Sequence, residues 1–291
     1  MKSDFSKGSV AGNIMSLAVP MTLAQLVNVL YNVVDRIYIG RMPENATLAM
    51  TGLGVCFPII TMVIAFANLF GMGGAPLCTI ARGKGDQKEA ESIMGNSFIL
   101  LLISGAVLTV LGLLLKEPLL YAFGASAETF PFADQYITIY LCGSIFVMIS
   151  LGMNSFINSQ GFGRVGMTTV LCGAVAYIIL DPIFIFTFQM GIQGAALATV
   201  LSQFLSAMWV LWFLTGKKAI LRLKKECFRL KWKRICSITA LGTTGFTMSI
   251  TNCAVQIICN STLQIYGGDL YVGIMTVINS IREVISMPVS G

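Results

Sequence analysis

Two aspartates stand where a carboxylate is costly to keep. Asp181 lies inside YIILDPIFIFTF, residues 177–188, and Asp35 closes the run LVNVLYNVVD. An ionisable side chain at hydrocarbon depth costs roughly 2.5–3.5 kcal/mol on insertion scales, so it is seldom retained for packing alone and usually marks an ion or proton path. Asp181 is followed by Pro182 and then by apolar and hydroxyl residues. Asp35 is followed by Arg36, so its plain reading is a solvated charge pair at the membrane interface. Pro182 frees a backbone carbonyl and bends a helix, a feature found beside cavities. Two carboxylates facing one apolar cavity lose solvation and repel each other, so they titrate as a pair that can load and release a proton. Tyr31, one turn before Asp35, can bond a carboxylate or line the same cavity. The chain has no histidine, which removes zinc-binding H-E-x-x-H chemistry, Ser-His-Asp triads and histidine relays. Proton handling falls to carboxylates.

The elements that must hold these acids are membrane helices. The chain has 291 residues, is 56% hydrophobic and only 11% charged, and has a mean hydropathy of +0.81, which excludes a soluble core and shell. The first long apolar segment begins near Ile14 and is long enough to span, so it is expected to be retained and not cleaved as a leader. The cysteines, most of them lone residues in apolar runs, read as small buried hydrophobes, with no cofactor and no metal expected. A window of about 20 residues gives eight candidate spans. They are 14–39, 48–78, 93–115, 136–158, 167–188, 192–214, 235–266 and 270–291. The fold class is therefore all-α and polytopic.

The charged connections ARGKGDQKEAES, QGFGR and TGKKAILRLKKECFRLKWKR fall on one side with Lys2 and Lys7, while the other side has only Arg41 and Lys116 as cations. The positive-inside rule then puts the amino terminus and the long basic connector in the cytoplasm of a multi-pass plasma-membrane protein. Basic loops against anionic lipid account for the net charge of +6, so the lipid bilayer is the expected partner and nucleic acid is not.

Six spans, a basic connector and fresh spans suggest a duplication. Setting Pro20 against Gly245 aligns PMTLAQLVNVLYNVVD with GFTMSITNCAVQIICN, so Tyr31 meets Gln256 and Asp35 meets Asn260. This fits a two-lobed transporter whose lobes are related by an axis along the membrane normal. Residues 1–215 form the first six-helix lobe, 216–235 the connector, and 236–291 the first two helices of a second lobe. The chain is expected to be part of something longer.

LAVPMTLAQLVNVLYNVVDRIYIG, ARGKGDQKEAESIMGNSF, NSFINSQGFGRVGM, GAVAYIILDPIFIF with MGIQGAALATVLSQ, and the stretch from ITNCAVQIICN onward resemble, in order, successive segments of the multidrug and toxic compound extrusion (MATE) transporters. The resemblance is to the MepA-type bacterial branch. It covers nearly the whole chain. Tyr177 and Asn158 stand where that family often has asparagine and arginine. The resemblance implies a monomeric antiporter that exports cationic amphipathic compounds in exchange for H+ or Na+, and not an enzyme. It implies Asp35, Asp181 and Glu283 as proton or cation sites, with Tyr31, Asn154, Tyr177, Thr199, Gln256 and Asn260 lining the substrate cavity. Phe57, Phe66, Met153 and Phe156 are candidates for a pliable wall. Two alternatives remain. A flippase of lipid-linked sugars needs cations in the cavity, whereas the buried charges here are mostly acidic. An intramembrane aspartyl protease is disfavoured by the contexts VVDR and ILDP.

Overall fold

The computed structural model describes residues 10–42 and 46–290, with side chains for residues 18–282 except positions 21, 32, 43–45 and 225, and for Ile285. The described residues are mostly helical, with no strand among them. In lipid every backbone amide must be satisfied within its own segment, which selects helices for apolar runs of this length.

In chain order the helices are α1 (Val10–Gly40), α2 (Ala46–Gly83), α3 (Gln87–Ala122), α4 (Phe130–Ser159), α5 (Gly163–Pro182), α6 (Ile192–Thr215) and α7 (Trp232–Ser290). Among the described residues, five segments are long and apolar enough to cross a membrane: α2, α3, α4, α5 with its extension to Thr187, and α6. α7 is two helices joined at Gly268, whose φ of 67° and ψ of −168° belong to a region open only to glycine. The break falls in the YGGD stretch between the seventh and eighth expected spans. Helices α2 and α3 run beyond the expected membrane boundaries into ARGKGDQKEAES, leaving a turn of only three residues, 84–86. Their length follows from helix signals and not from the bilayer. Gly85 turns the chain with φ of 80°, and the Asp86 carboxylate accepts the Glu89 N–H at 3.0 Å to cap α3.

α2 and α4 are the most buried helices and α3 the least, with Val110 and Leu114 on its outer face 57% and 73% exposed. In the GMGG stretch two glycines allow close crossings on opposite sides of α2. A methyl on Gly71 would meet the Gly152 backbone of α4 at 2.7 Å, and one on Gly73 would meet the Ile238 carbonyl of α7 at 2.2 Å. The two arms of α7 lie along α2. The first arm runs antiparallel to it, pairing Cys253 Sγ with the Pro58 carbonyl at 3.3 Å and Asn260 Nδ2 with the Gly54 carbonyl at 3.1 Å. The second arm runs parallel, with Gly273 against Thr51 and Thr276 against Gly54.

The connector is strapped to the bundle by buried amides. Gln160 Oε1 accepts the N–H groups of Ile220 and Leu221 at 3.0 and 2.9 Å. Asn96, fully buried, donates to the Arg229 carbonyl and accepts from Lys231 N–H, both at 3.0 Å.

Candidate functional site

α1 and α5 pack side by side and carry the same spacing: tyrosine, then aspartate one turn later, at Tyr31 and Asp35 and at Tyr177 and Asp181. The two phenol rings pack with centroids 5.4 Å apart. The Tyr177 hydroxyl donates to Asp35 Oδ1 across the helix pair. Asp35 is half-buried, whereas Asp181 is 0% exposed and neither of its oxygens meets a partner of normal hydrogen-bond geometry among the described residues. Tyr177, one turn before Asp181 on α5, is thus the group that reaches across to Asp35. Directly after Asp181 the helix widens. Pro182 lacks an N–H, Ile183–Thr187 form a π-turn, and Phe188 N–H reaches back five residues to the Ile183 carbonyl at 2.9 Å. Such widened turns recur at functional sites.

Asp35 borders a cavity of about 370 Å³ lined from α1, α2, α4, α5, α6 and α7. Tyr31, Asp35, Tyr177, Thr199 and Gln256 line it, and Gln256 Oε1 lies 3.3 Å from Thr61 Oγ1. Asp181 sits behind that lining. Asn154 does not reach the cavity: its oxygen faces Gly166 at the start of α5. Asn260 is held by the α2 backbone in the interface with the first arm of α7. Glu283 lies outside the residues whose side chains are described. Phe57 lines the cavity, but Met153 and Phe156 are fully buried in the core and Phe66 packs on Phe246 at 5.0 Å.

Other lining residues escaped the sequence reading. On α1, Gln25 and Asn28 extend the expected Tyr31 and Asp35 into one polar stripe; on α6, Ser202, Gln203 and Ser206 extend the expected Thr199 into another. Their spacing of three or four residues was the available signal. Arg36 is also in the cavity wall, only 8% exposed, so the solvated-pair reading of Asp35 and Arg36 does not hold. Its guanidinium donates to Ser280 Oγ on the second arm of α7 and sits over the Phe57 ring, 4.9 Å from the centroid. Residues 35 and 36 thus point from one helix towards α5 and towards α7. Arg282 joins Arg36 in the lining.

Chemically, the site is a membrane-embedded polar cavity with one carboxylate bonded by a phenol and a second, shut from solvent, one helical turn beyond that phenol. Among the described residues no group of three or more His, Cys, Asp or Glu side chains could hold a metal.

The MatE family profile matches residues 20–183, more than half of the chain. The Multidrug export protein MepA of Staphylococcus saprophyticus is 26% identical over 263 residues, 90% of this chain and 58% of that protein. The chain therefore spans a little over half the length of the curated relatives it matches. Among solved structures, the MATE multidrug transporter DinF-BH superposes with a TM-score of 0.89 at 31% identity, covering 96% of this chain and 62% of that one. An outward-facing multidrug resistance MATE transporter of the MOP superfamily gives 0.86 at 26% identity, covering 99% and 63%. Helical architecture, apolar spans and matched sequence agree: this chain is a multi-pass membrane protein and belongs to the MatE family of transporters.

Proposed function

We propose that the protein is a secondary active antiporter that exports cationic amphipathic compounds in exchange for H+ or Na+. The observation that carries this reading is the buried, unpartnered carboxylate of Asp181 across Tyr177 from Asp35, beside a cavity at membrane depth. A low-dielectric acidic site attracts an organic cation and a coupling ion to the same place, and strengthens that attraction. The two ligands then compete, which is the thermodynamic basis of exchange: each stabilises a different state of one bistable element. The relatives, a multidrug export protein and a multidrug resistance transporter, support this substrate class. Residues 1–215 act as the first lobe, 216–235 as a cytoplasmic connector and 236–291 as the start of the second lobe, in a monomer of the bacterial plasma membrane with its amino terminus inside.

Arg36 and Arg282 in the lining support a second reading, flipping of lipid-linked sugars, because cations there can hold a pyrophosphate. Vesicles containing the full-length protein separate the two. Gradient-driven efflux of an ethidium-like dye, with coupling lost in Asp35→Asn and Asp181→Asn, supports antiport. Absence of dye movement with translocation of a lipid-linked sugar supports the flippase. Imposing proton and sodium gradients separately identifies the coupling ion.

A further inference from the structure

A second concavity, remote from the acids, lies at the basic end of the molecule. It encloses about 440 Å³ between the end of α2, the start of α3 and the start of α7. We propose that this groove binds an anionic phospholipid, with the phosphodiester among Lys84, Lys231 and Lys233 and an acyl chain along Leu77, Ile80 and Ile93.

Charge and polarity are divided in the way such a ligand requires. The wall is apolar where the helices enter the bilayer, and Ile80 is 54% exposed there. The rim carries three exposed lysines, flexible point charges suited to a phosphodiester whose orientation is not fixed. The carboxylates in the groove already have partners: Asp86 caps α3 through the Glu89 N–H at 3.0 Å, and Glu89 accepts Arg234 Nε at 2.7 Å. The lysines therefore present a net positive field to a groove that is oily on its other side, which favours a lipid over a soluble anion or a polynucleotide. Trp232, between two of those lysines, is 78% exposed, and Leu230 beside it 43%. An indole flanked by lysines at the end of a span is an interfacial anchor. Because the groove joins the α2–α3 corner to α7, an occupying lipid ties the first arm of α7 to the bundle.

Trp232 reports occupancy. Replacing Trp209 and Trp212 with phenylalanine leaves it as the single tryptophan of the three. The chain is then reconstituted in phosphatidylcholine vesicles containing a minor fraction of acyl-brominated phosphatidylglycerol or acyl-brominated phosphatidylcholine. The expected result is several-fold stronger quenching by the anionic lipid at equal mole fraction. The combined variant Lys84→Gln, Lys231→Gln, Lys233→Gln should abolish that preference, bringing the two lipids to near-equal quenching. A control removing as many charges off the groove, Lys217→Gln, Lys218→Gln, Arg222→Gln, should keep it. Ile80→Gln, which leaves the charge unaltered, should also weaken quenching and serves if the triple variant fails to insert. Equal quenching by the two lipids before the lysines are replaced overturns the proposal. So does equal loss in both triple variants, which would mean diffuse attraction, and so does displacement by soluble glycerol phosphate, which would mean a free-anion site.

Discussion

Glu89, Glu91 and Asp181 are all helical carboxylates, and their surroundings differ in kind. At the basic end, Glu89 accepts Arg234 Nε at 2.7 Å, and the nearly buried Glu91 accepts Lys224 Nζ at 2.7 Å and the Arg222 N–H at 3.4 Å. In the membrane, Asp181 is fully enclosed with no cation bonded to it. A carboxylate matched by a cation is at rest in one geometry and fastens the strap in place. A buried carboxylate without a match is costly while ionised, so its state depends on what enters the cavity: a proton, a metal cation or an organic cation. Structural acids and responsive acids are thus told apart by their partners, not by residue type.

The strongest way to break that comparison is Asp181→Asn. The amide keeps the shape but cannot titrate, so gradient-coupled dye efflux by the full-length protein should fall by at least about tenfold, within the usual range of coupling energies. Thermal stability in detergent should be unchanged or higher, because a buried unmatched acid is removed. Glu91→Gln should show the reverse pattern, with reduced stability and intact coupling. If Asp181→Asn retains wild-type coupling and loses stability, Asp181 is a structural acid like Glu91.

Next in size is Asn96→Ala. Asn96 bonds the connector through the Arg229 carbonyl and the Lys231 N–H, both at 3.0 Å, and truncation leaves those part-buried backbone groups without that partner. A loss of about 2–3 kcal/mol is expected. Proteolysis in the connector, residues 216–231, should accelerate, while the pH profile of efflux should not move. A shifted pH profile would mean that the strap and the acid pair are one network.

Tyr177→Phe sharpens the other half of the comparison. It removes only the hydroxyl that Tyr177 donates to Asp35 and keeps the ring contact with Tyr31 at 5.4 Å. Stability should change by about 1 kcal/mol, but the pH at half-maximal efflux should move. An unmoved profile would place the proton-responsive group elsewhere.

What could be read in advance follows the same division. The helices and the two acids were legible because hydropathy and a charge in an apolar run are local signals. Helix ends were not, since α2 and α3 continue through charged residues until Gly85 and the Asp86 cap intervene. Arg36 looked interfacial because its neighbours in sequence say nothing of Ser280, 244 residues away, or of the Phe57 ring. Asn96 and Gln160 gave no signal at all: their partners are backbone groups of the connector, which have no side-chain signature. The neutral stripes on α1 and α6 were legible in principle, but only when their members are counted together.

The smallest expected effect belongs to the Glu89–Arg234 pair, which lies outside the spans. The hydrogen bond from Arg234, followed in weight by opposing desolvation and by the attraction of Arg234 and Lys231, holds the Glu89 carboxyl below its ordinary value of 4.5. A depressed carboxylate stabilises the fold fully above the unfolded-state value, and that contribution is lost as pH falls through the lower folded-state value. The Glu89 side chain is 38% exposed, so water and salt screen the pair and about 0.2–1 kcal/mol is the expected scale. Glu89→Gln mimics the protonated acid. The variant should therefore unfold slightly below wild type at neutral pH and low salt, and the gap should close both in high salt and as the pH is lowered past 4.5. A gap that persists unchanged in acid would mean that the side chain acts by packing and not by charge, and would remove Glu89 from the class of matched acids with which Asp181 is contrasted.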